Sequence, residues 1–212
     1  MKPKSIVIIG GCAGAKICLD IERDYYYTRY VCESFLPKEY LKKHREVEIL
    51  PPLTNKKTLK FLRSSSVEYF VATGDNEMRR EIIQNLINVL DKPPTNIVHK
   101  SALICTDVIG YGNLVCAQAV INVGAQIGNG CIINTNSVVE HDVIIGNYAQ
   151  VGPGAILGGY AKLGDLSFLG INSTVLPKKE ISSDCMVGAG AVVTNSLTEP
   201  GTYVGVPCRK VK

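Results

Sequence analysis

Few side chains in this 212-residue sequence can exchange a proton near neutral pH: the histidines are His44, His99 and His141. His141 stands between two acids, Glu140 and Asp142, in the stretch SVVEHDVIIGNY, with aliphatic residues on both sides. An imidazole titrates at about pH 6.5 and works as a general base when placed beside an acceptor proton. The same spacing also fits a solvated polar turn. His44 lies in a charged helical segment, and His99 sits close to the paired prolines of DKPPTN. A second stretch with chemical potential is GGCAGAK, directly after the apolar run SIVII. Backbone N–H groups at such a strand-to-helix turn can face an anion, or the turn can be purely structural. A dinucleotide fingerprint would need glycines at the positions of Gly10, Cys12 and Ala15, and two of these are other residues, which argues against an NAD site. The eight cysteines form no C-x-x-C and no Cys/His cluster, so no metal is expected and the thiols read as reduced.

The element that must position His141 is a repeat. Cut into sixes from residue 104, every block through residue 193 ends in Ile, Val or Leu. The register reads back through Leu103 and Ile97, giving seventeen aliphatics at six-residue spacing from Ile97 to Val193 without a slip. Small residues such as Ala119, Ala125, Cys131, Ala155 and Cys185 recur two places before the aliphatic, and Gly or Asn often follows it. A period of six fits neither a helix nor a single flat strand. It fits short strands joined by sharp corners, where Gly and Asn tolerate positive φ. Three units close a triangular coil of eighteen residues. Coils stack at the interstrand spacing of about 4.8 Å, so the aliphatics line the inside and corner residues, His141 among them, point outward. Cys131 and Cys185 take the small slot three coils apart, too far for a disulfide.

Ahead of the repeat, strand-like and helix-like segments alternate. SIVII, RYVCESF, VEILPPL and VEYFVATG read as strands, and ICLDIERD, PKEYLKKH, TNKKTLKFLRSS and DNEMRREIIQNLINVL as helices. Such alternation predicts a small parallel sheet. Residues 1–94 are therefore expected to form one domain and 95–212 a second, joined at DKPPTN. SIVII is too short for the core of a signal peptide, and no stretch reaches the length of a membrane span, so the chain reads as cytoplasmic. The formal net charge of +4 is far from the basic stripe of a nucleic-acid binder. It suits a small polyanion such as a nucleotide or coenzyme A, or ordinary surface charge.

The repeat over 97–193 and the closing GTYVGVPCRKV resemble the hexapeptide-repeat, left-handed β-helix acyltransferases. With a small α/β half in front, the whole chain resembles the sialic-acid O-acetyltransferase/UDP-amino-sugar N-acetyltransferase family. IIGGCAGAK stands where relatives carry I-I-G-A-G-G-H-A-K. ATGDNEMR matches A-x-G-D-N-x-x-R through Gly74, Asp75, Asn76 and Arg79, and VEHDVII matches V-x-H-[DE]. The resemblance implies an α/β N-terminal Rossmann-like subdomain followed by an all-β left-handed parallel β-helix built of hexapeptide repeats. It implies acetyl-CoA as cosubstrate, no metal, no nucleic acid, and a homotrimer with active sites between subunits. The implied activity is N-acetylation of a UDP-linked amino sugar in surface-glycan biosynthesis. An O-acetyltransferase acting on sialic acid or another sugar hydroxyl is the alternative, and a non-catalytic hexapeptide scaffold a further one. A carbonic anhydrase on the same helix would need three metal-binding histidines from neighbouring coils, and only His141 lies well inside the repeat.

By the same resemblance, His141 is the general base, Asp142 its orienting acid, with Glu140 a second choice, and the backbone N–H near Gly159 holds the oxyanion. Gln150 replaces a family histidine nine residues after His141, and Ile171 and Ala189 match positions that contact coenzyme A. Lys178, Lys179, Arg209 and Lys210 are cations available to its phosphates. Asn134, in a matching slot one face earlier, is expected to touch the acceptor or His141, or only to hold its corner. Gly10, Cys12, Ala13, Gly14, Gly74 and Asp75 belong to the nucleotide-sugar site, with Cys12 and Ala13 replacing two family glycines and Gly14 the motif histidine. The family's acidic pair after the second strand corresponds to Glu33 and Ser34.

Overall fold

In the computed structural model the described residues are 5–10, 12–21, 28–32, 37–44 and 47–212, so Glu33 and Ser34 lie outside them. The chain divides into two units, Met1–Ile97 and Val98–Lys212. In the first, strands β1 (Ser5–Ile9), β2 (Thr28–Cys32), β3 (Val47–Ile49) and β4 (Val67–Val71) alternate with helices α1 (Cys12–Ile21), α2 (Lys38–Lys43), α3 (Lys56–Leu62) and α4 (Asn76–Leu90). The strands form one parallel sheet in the order β3-β2-β1-β4. Ile6 through Ile9 and Tyr69 through Val71 are all buried. Such continuous apolar runs belong to strands covered on both faces. Helix α4 starts where Asp75 Oδ1 accepts the Met78 N–H (2.8 Å) and stops where Asp91 takes a left-handed conformation. Its inner face buries Arg79, Ile83, Leu86 and Leu90. From β1 the chain moves to β2 on one side, while β4 lies on the other. The C-terminal ends of β1 and β4 therefore flank the point where strand order reverses, the usual place for a crevice in an open α/β sheet.

The second unit is a β-solenoid of mostly two-residue strands in three stacks of eight, six and four strands; the largest includes two strands of the C-terminal tail, and every pairing is parallel except that of the last, Arg209–Lys210. We call these faces I, II and III. Strands stack eighteen residues apart: Ile132, Gln150 and Phe168 on face I, Val138 and Ile156 on face II, Ile144 and Lys162 on face III. The inner residue of each strand from Val115 to Val193 is buried in a single core cluster, with Ala119, Ala125, Cys131, Ala155 and Cys185 filling the small slots. Neither Cys131 nor Cys185 is in a disulfide. The chain turns three corners per coil: I/II at Asn134–Thr135–Asn136, II/III at Glu140–His141–Asp142, and III/I at Gly146–Asn147–Tyr148. The last residue of each of these corners is left-handed (φ 56°, 58° and 56°). Side-chain amides brace the III/I edge, where Asn147 Oδ1 accepts the Asn129 backbone N–H (3.0 Å) and Asp165 Oδ1 that of Asn147 (2.7 Å).

The first coil departs from the expected frame. Leu103 pairs with Val120 and Ile104 with Ile121, so Ile104 points inward and Leu103 is 56% exposed. The His99 N–H donates to the Val115 carbonyl, and Val98 packs on the core in place of Ile97. Five residues, not six, separate Ile104 from Ile109, because the corner between them is one residue shorter. At the other end, Leu197 bridges to Ile181, Gly201–Val204 adds to face I beside Cys185–Val187, and Arg209–Lys210 folds back on it. Leu197, Tyr203 and Cys208 complete the core, so the tail covers the open edge of the last coil. No helix among the described residues is long and apolar enough to cross a membrane.

Candidate active site

His141 projects from the II/III corner with its side chain about half exposed (48%). Its Nδ1 lies 2.9 Å from Asp142 Oδ2. A carboxylate can only accept, so Nδ1 carries the proton of this hydrogen bond and Nε2 presents a lone pair. One coil on, Gly159 occupies the slot eighteen residues after His141. A Cβ on Gly159 would stand 2.5 Å from Nε2 and 2.7 Å from Cε1, so the ring faces bare backbone. The Gly158 N–H is bound to Val175 and that of Tyr160 to the His141 carbonyl, but the Gly159 N–H between them donates to no described residue. The corner thus pairs a lone pair on Nε2 with a free backbone donor one coil away. Chemically, such a pair can take up a proton and hold an oxyanion beside the same surface patch.

Tyr160 completes the corner. It stacks under Asp142 in the left-handed conformation (φ 61°) and sets its ring edge-on to His141 at 5.1 Å and 90°. A hexad read singly does not expose this contact, but the eighteen-residue spacing from Asp142 to Tyr160 does. Glu140 is engaged elsewhere: its Oε2 accepts from Asn122 Nδ2 at 3.1 Å, leaving Asp142 as the carboxylate on the imidazole. Replacing Asp142 with Asn is expected to lower kcat about 10- to 100-fold. An amide can donate to Nδ1 and so put the imidazole proton on Nε2. Asn accepts a left-handed backbone readily, so thermal melting is expected to stay unchanged while turnover falls.

The remaining solenoid residues picked from sequence sit on other edges. Asn134 lies on the I/II corner with Oδ1 accepting the Thr135 N–H at 2.8 Å. Ile171 (53% exposed) and Ala189 lie on that same edge in later coils, joined by the bond from the Gly190 N–H to the Ile171 carbonyl. Gln150 faces outward from face I between Ile132 and Phe168, which is the face opposite the His141 edge. One chain therefore does not bring Asn134, Gln150, Ile171 or Ala189 to His141. Cys116, also at the I/II corner, has its thiol pushed up to about 11 by burial, partly offset by hydrogen bonds to Thr135, so it remains a protonated thiol and no nucleophile. Among the tail cations, Lys210 is paired with Glu199 at 2.8 Å, which raises the lysine and lowers the carboxylate from their ordinary pKa values.

In the first unit the N-terminal residues gather at the ends of β1 and β4. Gly10 has φ 106°, and a Cβ there would stand 2.7 Å from Thr73 Oγ1. A Cβ on Gly14 would stand 2.7 Å from the Ala72 carbonyl oxygen. Both glycines let the β1 and β4 loops approach. Cys12 begins α1 and Ala13 is exposed in its first turn. Gly74 has open space around it, and Asp75 caps α4.

Residues 124–159, which contain His141, Asp142, Gln150 and Gly159, match the family described as bacterial transferase hexapeptide (six repeats). The structure of PerB from Caulobacter crescentus, in complex with CoA and GDP-perosamine, is 29% identical, with TM-score 0.82 over 98% of this chain and 97% of that one. A variant of perosamine N-acetyltransferase from the same organism, with a histidine changed to asparagine and again with CoA and GDP-perosamine, is 28% identical over the same shares, with TM-score 0.81. The acetyltransferase domain of PglB from Neisseria gonorrhoeae, in complex with acetyl coenzyme A, shares the fold at 22% identity, TM-score 0.85, over 98% of this chain and 99% of that one. The six-residue ladder and its family match mark the solenoid as a hexapeptide repeat, in a chain that is similar from end to end to solved sugar N-acetyltransferases.

Proposed function

We propose that this chain is an acetyl-CoA-dependent N-acetyltransferase that acylates the amino group of a nucleotide-linked amino sugar, in the cytoplasmic stage of surface-glycan synthesis. The observation that carries the reading is the His141 corner, with Nδ1 held by Asp142 and Nε2 set over Gly159. The full-length likeness to a protein that holds CoA and GDP-perosamine supports it. The acceptor amine attacks the thioester carbonyl, and Nε2 takes its proton as the C–N bond forms. The Gly159 N–H holds the tetrahedral oxyanion, an interaction worth about 3–4 kcal/mol in enzymes of this kind. Collapse breaks the C–S bond, and the imidazolium returns the proton to the departing CoA thiolate.

The sheet order β3-β2-β1-β4 supports reading residues 1–94 as a Rossmann-like domain that takes the nucleotide sugar in the crevice lined by Gly10, Gly14, Gly74 and Asp75. Residues 95–212 are then the left-handed β-helix that carries the chemistry. Asn134, Gln150, Ile171 and Ala189 lie away from the His141 edge of their own chain, so in this reading a second copy supplies them. A homotrimer with a site at each interface meets that need. Gln150 can donate its amide N–H to the thioester oxygen, but it has no proton to give as an acid.

The test measures CoA thiol release from acetyl-CoA with UDP-, GDP- and dTDP-linked 4-amino sugars, beside free sialic acid. Turnover is expected with at least one nucleotide-linked amine, with a mass gain of one acetyl group on nitrogen. Turnover with sialic acid alone overturns the reading in favour of O-acetylation. Absence of turnover with every acceptor favours a non-catalytic scaffold.

A further inference from the structure

Arg79 is the one charged side chain that is fully buried among the described residues, and the mechanism above makes no use of it. It stands one turn into α4 and reaches back to the loop that precedes the helix. Nη1 donates to the carbonyls of Thr73 (2.9 Å), Gly74 (3.2 Å) and Asp75 (3.4 Å), and Nη2 to Asn76 Oδ1 (2.7 Å). Burying a guanidinium costs several kcal/mol unless its hydrogen bonds are met, and an apolar side chain of similar length would fill the same space. What only the charged fork does is gather successive carbonyls on one side. In a planar trans peptide the next N–H points the opposite way. With the Thr73 and Gly74 carbonyls turned to Arg79, the N–H groups of Gly74 and Asp75 face away from it. Neither donates to a described residue, and the space where a Gly74 Cβ would stand is open. A turn with outward amides and a positive charge behind it attracts acceptor atoms. It lies at the end of β4, against the Gly10 loop of β1.

We infer that Arg79 is a positioning residue for the nucleotide crevice, clasping the Thr73–Asn76 turn so that its amides face the diphosphate or base acceptors of the ligand. This rests on the nucleotide-sugar reading of the first unit. Arg79 touches no ligand itself. Its effect passes through the backbone of Gly74 and Asp75.

The experiment uses the full chain, with UDP and GDP as calorimetric probes and acetyl-CoA kinetics alongside. Arg79→Met keeps the length of the stem and removes the fork. Arg79→Lys keeps the charge and one point of donation. Asn76→Ala removes a single partner and keeps Arg79. Nucleotide affinity is expected to fall at least tenfold in Arg79→Met and about threefold in Asn76→Ala, with Arg79→Lys between the wild type and Arg79→Met. The KM for acetyl-CoA stays at the wild-type value throughout. If the variants bind the nucleotide as the wild type does, Arg79 has no positioning role and the nucleotide-sugar reading stands. If nucleotide affinity and melting temperature fall and the acetyl-CoA KM rises together in Asn76→Ala as well as in the Arg79 variants, the clasp is only structural and the inference is overturned. If the wild type binds neither UDP nor GDP, the nucleotide-sugar reading fails and takes this inference with it.

Discussion

Replacing His141 with Ala is expected to lower kcat for acetyl transfer by about 10²- to 10⁴-fold, the usual contribution of a positioned general base. The protein itself should melt as the wild type does. The ring is half exposed, and its side-chain contacts are one hydrogen bond to Asp142 and an edge contact with Tyr160, so its removal leaves no cavity in the solenoid core. Substitutions of that kind stay within about 0.5 kcal/mol. Substrate affinity should also persist, because the lost interaction is made with a proton that moves only during reaction. The measurement is kcat and both KM values at saturating cosubstrate, beside a thermal melt. A variant that retains wild-type kcat removes His141 from the chemistry and leaves the corner as a solvated turn.

Most of the solenoid was legible because its period is rigid. From Val115 to Val193 each sixth residue is inside, as the spacing predicts. The first coil departs from that frame for a local reason. Ile97 and Val98, and again Leu103 and Ile104, are adjacent aliphatics, so hydropathy alone does not say which of each pair turns inward. The shorter corner after Ile104 decides it, and nothing in residues 105–108 marks that corner as short. The position of His141 on an outer corner was legible for the same reason as the core. Of its neighbours, which come from the next coil, Gly159 was reached through the family resemblance and Tyr160 was not. Eighteen is the number that matters there: Gly159 follows His141 by eighteen residues and Tyr160 follows Asp142 by eighteen. The same count separates the edges. Ile171 and Ala189 stand eighteen apart on one edge, whereas Ile171 stands thirty residues from His141, which is not a whole number of coils. In the first unit, the sheet and α4 followed from apolar runs and the Asp75 cap. The inward reach of Arg79 did not, since an arginine in a helix usually reads as surface.

Gly159→Ala is expected to lower kcat by about 10²-fold or more, although it adds only a methyl group. Gly159 is outside the left-handed region, so alanine suits its backbone and the effect is one of contact alone. The methyl would stand 2.5 Å from His141 Nε2, far inside van der Waals distance, with Cε1 at 2.7 Å and Cδ2 at 3.2 Å. The imidazole is free to swing toward solvent and must do so, which breaks its bond to Asp142 and carries Nε2 away from the Gly159 N–H. Stability is therefore expected to hold, since the exposed ring absorbs the clash. The double variant separates this from a direct effect on the oxyanion donor. With His141 already alanine the methyl meets no ring, so adding Gly159→Ala should cost at most about threefold more, a strongly non-additive pair. A Gly159→Ala enzyme with wild-type kcat would show that Nε2 does not work in the position seen here. A double variant with the full product of both losses would show that Gly159 acts independently of the ring.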